Sequence, residues 1–400
     1  MFTNTRASYL ASLFLSSLAL SANASKLVVF GNSLSDVWNK INFVDSHFAV
    51  PYFFGRYASG PVWNEYLTHF NNYTLINYAV GGALSNNTFI NDIVGTNITL
   101  PSAMDQISMF QDVFSPLYTN KTDLKSDIAV VEIGGNDIFY SSALVLNNTV
   151  NPETFAKNMV DNIMSSANKL VDFGYVNIIV AQIPNLATSP FSKSLTVQQR
   201  DFLSALVVYA NKLIAEKVAS LDTTLQNSSG WAKVLELFDL FQLIVDESDI
   251  TKALNITVLD KECYVTNEAE DKLLSSCDNP DNHLYIDLYH PETRPHSLIG
   301  ALASEMLGNS SFSLNKESTL YLISKYNISD FGYSKNALFT STSNSTGFLN
   351  IKEFNITSSK SNAKSIASGT NPSSKISGSS MKLKPVTFGL VAFVFSLVLL

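Results

Sequence analysis

Val28-Val29-Phe30-Gly31-Asn32-Ser33-Leu34-Ser35-Asp36 begins as a short apolar run, stops at a glycine and presents a serine two residues later. This is the pattern of a strand ending in a tight turn, with a hydroxyl lifted to the carboxyl edge of a sheet. Three segments downstream carry the other pieces of an ester-hydrolysing site in a workable order. They are Gly81-Gly82-Ala83, Gly134-Gly135-Asn136-Asp137 and Asp287-Leu288-Tyr289-His290-Pro291.

Outward from these segments, strands and helices alternate. Lys26–Phe30, Leu75–Val80, Asp127–Ile133, Val176–Ile183 and Ala232–Phe238 read as strands. Asp127–Ile133 is almost continuously apolar, as a strand buried on both faces should be. Pro61–Phe70, Pro152–Phe173, Val197–Leu221 and Pro295–Leu307 read as helices. The alternation predicts an α/β fold, a mainly parallel sheet of about five strands covered by helices on both faces. In open α/β sheets the site lies outside the carboxyl ends of the strands. Ser33, Gly82 and Asn136 each follow a predicted strand, so all three are expected on one edge.

Acyl transfer needs a nucleophile, a base, an orienter for the base and donors for the oxyanion. Ser33 supplies the hydroxyl. The chain has five histidines, and His290 has Asp287 three residues before it. On one turn, side chains at i and i+3 lie on the same side, so the carboxylate can hold the imidazole. The expected oxyanion donors are the Ser33 and Gly82 backbone N–H groups and the Asn136 amide. Gly82 has no side chain to block close approach, and a buried amide such as Asn136 needs a partner.

With these residues in this order, the chain resembles the SGNH, or GDSL-type, esterase and lipase superfamily. Ser33 matches the nucleophile of the first block, Gly82 the second-block glycine and Asn136 the third-block asparagine. His290 matches the base of Asp-x-x-His-Pro, with Asp287 its partner. Gly55-Arg56-Tyr57-Ala58-Ser59-Gly60-Pro61-Val62-Trp63 is similar to a stretch of eukaryotic members. The resemblance spans roughly residues 26–307 and implies a three-layer αβα fold and hydrolysis through an acyl-enzyme. It implies no cofactor and no metal. One position departs from the family pattern: its usual Asp after the first Gly is Asn32 here. Cys277-Asp278-Asn279-Pro280-Asp281 resembles fungal members, including secreted carbohydrate acetylesterases. The expected substrate is therefore a short-chain acetyl ester on carbohydrate, with a lipase or lysophospholipase acting on lipid esters as the alternative.

Three other readings compete. An α/β-hydrolase needs Gly-x-Ser-x-Gly, which no serine here provides. A metal site among Asp281, His283, Asp287, His290 and His296 leaves Ser33, Gly82 and Asn136 unexplained. A catalytically inactive cell-surface glycoprotein is at odds with intact Ser33, Asp287 and His290.

Both ends of the 400-residue chain carry processing patterns. Arg6, an apolar stretch from Tyr9 and Ala22-Asn23-Ala24 predict a secretory signal peptide over 1–24. The hydrolase domain is expected over 25–308, an extension over 309–357 and a Ser-rich stalk over 358–380. A hydrophobic tail within 381–400 follows small residues, which predicts a glycolipid anchor attached at Ser377 or Gly378. That places the protein at the cell surface, on the outer face of the plasma membrane or in the wall. Glycosylation acceptors agree with a secretory route: Asn72, Asn86, Asn97, Asn120, Asn147, Asn227, Asn255, Asn309, Asn327, Asn344 and Asn355. The two cysteines, Cys263 and Cys277, are expected to pair in an oxidising compartment. Closing that loop is worth about 3 kcal/mol in the chain-entropy model. A net charge of −8 with no basic run excludes a nucleic-acid partner and leaves an ester substrate and a membrane.

Overall fold

The computed structural model describes residues 25–44, 52–118, 124–267, 272–339 and 349–356, with Ala363 and Ala367. The expected signal peptide, most of the stalk, the C-terminal tail with Ser377 and Gly378, and the acceptors Asn120 and Asn344 lie outside the described residues.

The first strand shows why the fold has three layers. In β1 (Lys26–Gly31) successive side chains alternate between faces. Val28 and Phe30 enter one core, and Leu27 and Val29 enter another. Both faces are therefore covered. The chain continues through α1 (Trp63–Asn71), β2 (Thr74–Asn77), α2 (Asn87–Val94), α3 (Ala103–Phe114), β3 (Ile128–Glu132) and α4 (Gly135–Leu146). Next come α5 (Pro152–Phe173), β4 (Asn177–Ala181), α6 (Val197–Gln226), β5 (Trp231–Leu235), α7 (Leu237–Asp246) and α8 (Ser248–Ala253). Four short strands follow: β6 (Val258–Glu262), β7 (Tyr264–Thr266), β8 (Leu273–Ser276) and β9 (His283–Tyr285). Last are α9 (Thr293–Gly308), α10 (Lys316–Lys325) and β10 (Lys352–Phe354).

The central sheet has six strands in the order β10-β2-β1-β3-β4-β5, all paired in parallel. Side chains of α3, α5 and α6 fill the core on one face, and those of α1, α7 and α9 fill the other. From β1 the chain goes first to β2 on one side and later to β3 on the other. That reversal opens a crevice at the carboxyl ends of β2, β1 and β3, where ligands bind in open α/β sheets.

The sheet exceeds the expected five strands by one. The sixth, β10, comes from the 309–357 extension and pairs with β2 from Lys352↔Thr74 to Phe354↔Ile76. Its Glu353 meets Arg56, which also pairs with Glu65. Just beyond it the Ile356 N–H donates to Asn39 Oδ1 at 3.0 Å. Ala363, within the stretch read as a stalk, is buried in the core that holds Phe354 and Ile356. The apolar run 232–238 also divides differently than expected: it leaves the sheet at Leu235 and enters α7 at Leu237. Among the described residues, no helix is long and apolar enough to cross a membrane.

Candidate active site

Ser33 sits two residues past the end of β1, in a turn closed by the Ser35 N–H donating to the Asn32 carbonyl at 3.1 Å. His290 and Asp287 lie on a turn after β9, where the Ile286 N–H donates to the His290 carbonyl at 2.8 Å. These distant segments meet. Ser33 Oγ is 2.7 Å from His290 Nε2, and His290 Nδ1 is 2.7 Å from Asp287 Oδ2. All three residues are buried. A hydroxyl, an imidazole and a carboxylate in series can pass the hydroxyl proton to the ring and hold the charged ring in place.

The Asp287–His290 pairing is made by a turn. Asp287 Oδ1 accepts the backbone N–H groups of Tyr289 and His290, each at 2.8 Å, which is an Asx turn. Oδ2 accepts the Tyr52 hydroxyl at 2.7 Å as well as the imidazole. Burial works against the Asp287 charge, but His290, the Tyr52 hydroxyl and the Tyr289 N–H hold its pKa below the ordinary value. Tyr52 is a site residue that no sequence pattern marked. Tyr57 is another: its ring lies 4.7 Å, centroid to centroid, from that of His290. It belongs to the glycine-flanked stretch quoted above, which is the one signal that could have found it.

The disulfide braces this turn from behind. Cys263 and Cys277 are bonded, as expected. The Cys263 N–H donates to the Tyr285 carbonyl at 3.2 Å, and the Tyr264 N–H donates to that of Ile286 at 2.7 Å. The bonded hairpin thus runs beside the residues that lead into Asp287.

Gly82 and Asn136 line the same cleft as Ser33 and His290. Gly82 has φ of +85°, a conformation that side chains rarely adopt, and a Cβ at Gly81 would lie 2.5 Å from the Tyr57 ring. Buried carboxyls hold this glycine turn from both sides. Asp36 accepts the Gly81 N–H at 2.7 Å, and Asp137 accepts the Ser85 N–H at 3.0 Å. Asn136 stands in the first turn of α4, where the helix N-terminus favours negative charge. Its amide donates one hydrogen to the Ala83 carbonyl at 2.9 Å. Asn136 therefore has a protein partner as well as a hydrogen left for the cleft.

The cleft measures about 240 Å³. Apart from the polar floor, its walls are mostly apolar: Phe139, Tyr140, Leu186, Phe241, Tyr285 and Tyr289. Lys40 also lines it, donating to the Tyr57 hydroxyl at 2.6 Å. The other candidate metal ligands have partners of their own: His283 Nδ1 lies 3.2 Å from the Asn279 carbonyl oxygen. Asp281 pairs with Arg294 and accepts the Tyr333 N–H, and His296 Nδ1 accepts the Trp63 N–H.

Burial pushes Asp36 up to about 6, Glu132 and Asp137 up to about 7, and Glu292 up to about 8. A carboxyl raised in the fold stabilises it fully below the unfolded pKa and loses that contribution as pH climbs through the folded value. Asp287 has the opposite sign, and its contribution is lost on acidification. The thermal midpoint is therefore expected to be highest at about pH 4, near the unfolded carboxyl values, and to decline towards about pH 8. Scanning calorimetry across that range checks it; a midpoint that climbs steadily instead would show the four raised acids to be comfortably ionised in the fold.

The chain is similar to known proteins. Residues 27–302 match the sequence profile of the GDSL-like Lipase/Acylhydrolase family. A phosphatidylcholine-sterol acyltransferase of Aeromonas hydrophila is 26% identical over 307 residues, covering 74% of this chain and 83% of that protein. A thermolabile hemolysin of Vibrio parahaemolyticus is 26% identical over 295 residues, covering 72% of this chain and 64% of that protein, short of two thirds of its length. Among solved structures, an extracellular lipase of Streptomyces rimosus aligns with a TM-score of 0.38 at 14% identity, covering 72% of this chain and 100% of that one. The chain belongs to the GDSL-like lipase/acylhydrolase family and is a carboxylic ester hydrolase.

Proposed function

We propose that this hydrolase works through an acyl-enzyme on Ser33 and that its substrate is a lipid-type ester with a short to medium acyl chain. One observation carries the reading: the hydrogen-bonded series Ser33–His290–Asp287 opens, through Ser33 and His290, onto a cleft with apolar walls. Ser33 Oγ attacks the ester carbonyl while His290 Nε2 takes its proton. Asp287 keeps the other ring proton on Nδ1 and stabilises the imidazolium. The Ser33 and Gly82 N–H groups and the Asn136 amide receive the oxyanion. His290 returns the proton to the leaving alcohol, and water attacking by the same route releases the acid.

The expected carbohydrate acetyl ester fits these walls less well than an acyl chain does. Ligand pockets usually span roughly 300–1,000 Å³, so a cleft of about 240 Å³ suits one acyl chain rather than a whole lipid. The similarity to a phosphatidylcholine-sterol acyltransferase and a hemolysin points the same way. Each methylene buried contributes about 0.8 kcal/mol, or roughly fourfold in kcat/KM. Activity on p-nitrophenyl esters is expected to rise from acetate through butyrate to octanoate and to fall at palmitate, which outgrows the cleft. A maximum at acetate, with faster turnover of an acetylated oligosaccharide, would return the substrate to carbohydrate.

The same reading includes export, glycosylation and a glycolipid anchor at Ser377 or Gly378. It is supported by the disulfide and by exposure of Asn72, Asn97, Asn147, Asn227, Asn255, Asn309 and Asn327, with Asn86 and Asn355 half-buried.

A further inference from the structure

Glu132 ends β3 directly beneath the nucleophile turn, buried and unused by the reaction just described. Its Oε1 accepts the Asn32 side-chain amide at 3.0 Å, and its Oε2 accepts the Ser35 hydroxyl at 2.8 Å. Both donors are fixed by their other partners. Asn32 Oδ1 accepts the Leu34 N–H at 2.9 Å, which turns the amide nitrogen towards Glu132. The Trp63 indole N–H donates to Ser35 Oγ at 2.9 Å, which leaves the serine proton for Glu132. Every hydrogen bond offered to this carboxyl is thus one that a carboxylate accepts. Ser33 lies between the two residues so held. Among the described residues, the groups that face Glu132 are Asn32 and Ser35 from the nucleophile turn and His290, whose charge acts on it from the turn after β9.

We propose that Glu132 is a positioning residue for ester hydrolysis: as a carboxylate it fixes the Ser33 turn through Asn32 and Ser35, and it adds a second buried negative charge that stabilises protonated His290. The proposal rests on the Ser33–His290 reading above. It also gives Asn32 a reason. An amide at position 32 bonds a carboxylate without competing for a proton, whereas a carboxyl there would have to share one with Glu132, because two like charges so close cannot both stay ionised. Burial opposes the Glu132 charge and pushes its pKa up to about 7, so the group sits where a small change in its partners alters its ionisation.

Two variants test this, each with kcat and KM for p-nitrophenyl butyrate measured across pH, beside thermal unfolding. Glu132→Gln keeps the volume and removes the charge. It is expected to lower kcat by about 10–100-fold with KM within about threefold, because the charge acts on the reacting enzyme rather than on substrate binding. The acid limb of kcat/KM is expected to move to lower pH by about half a unit or more, since the imidazolium loses a stabilising neighbour. Asn32→Asp is expected to stay active in acid, where the two carboxyls share a proton, and to lose activity above neutrality, giving a bell-shaped profile. A displaced profile in either variant supports the proposal. Profiles of the folded variants that superimpose on the wild type overturn it, and Asn32→Asp decides alone if Glu132→Gln does not fold. Ser33→Ala in the same assay separates the two readings: an active Ser33→Ala enzyme sinks the nucleophile assignment, while an inactive one with unshifted profiles sinks the Glu132 role only.

Discussion

Replacing Ser33 with alanine is expected to lower kcat for an acyl ester by about 10⁶-fold, the scale on which Ser-His-Asp enzymes depend on their nucleophile. A residual rate about 10³-fold above water should persist, because the oxyanion donors and the apolar walls remain. The size of the loss follows from Ser33 being, among the described residues, the hydroxyl bonded to His290 Nε2. Ser35 is the nearest in sequence, but it is fully buried, receives the Trp63 indole N–H and donates to Glu132. The Ser33 hydroxyl is committed only to His290 Nε2 at 2.7 Å. The substitution removes a single oxygen from an otherwise unchanged turn, so the thermal midpoint should stay near that of the wild type. Steady-state assays with a fluorophosphonate probe check both halves: the wild type should be labelled and turn over, and the variant should do neither. Labelling of the alanine variant, or loss of less than about 10²-fold, would place the nucleophile elsewhere.

The site was legible in the sequence where glycine punctuation meets the end of an apolar run. Ser33, Gly82 and Asn136 each follow a strand of the central sheet, and parallel strands bring all three to one edge. The residues that tune the site were not legible, because nothing local marks them. Tyr52 bonds an aspartate 235 positions away from a segment with no regular pattern. Glu132 closes a strand whose apolar character explains the strand and hides the acid. Helical spacing predicts the partnership of Asp287 and His290, while the structure makes it with a turn whose two backbone N–H groups fix one carboxylate oxygen. The sixth strand leaves no signal in the sequence for a different reason. β10 is three residues long in a polar, acceptor-rich segment, and its pairing depends on the exposed edge of β2 and on Arg56, neither of which is encoded near it.

The turn at Asp287 makes a sharper prediction than a generic loss of charge. In Asp287→Asn, one side-chain position faces two backbone N–H groups that can only donate, those of Tyr289 and His290. The amide oxygen must take that position, which puts the NH₂ group where Oδ2 now accepts His290 Nδ1. An NH₂ there can only donate, so Nδ1 must accept and the ring proton moves to Nε2. Nε2 then donates to Ser33 Oγ and cannot take its proton. The Tyr52 hydroxyl adjusts by rotating to become an acceptor, so packing is kept. The expected result is a fall in kcat of about 10⁴-fold with little change in KM, because the geometry survives and the tautomer is wrong. Asp287→Ala should lose activity to a similar degree but should also lower the thermal midpoint, since the turn loses the oxygen that accepts the Tyr289 N–H and the buried His290 N–H. Measuring kcat, KM and unfolding for both variants separates tautomer control from support of the turn. An asparagine variant that keeps more than about a tenth of the wild-type kcat would show that Asp287 does not fix the His290 tautomer.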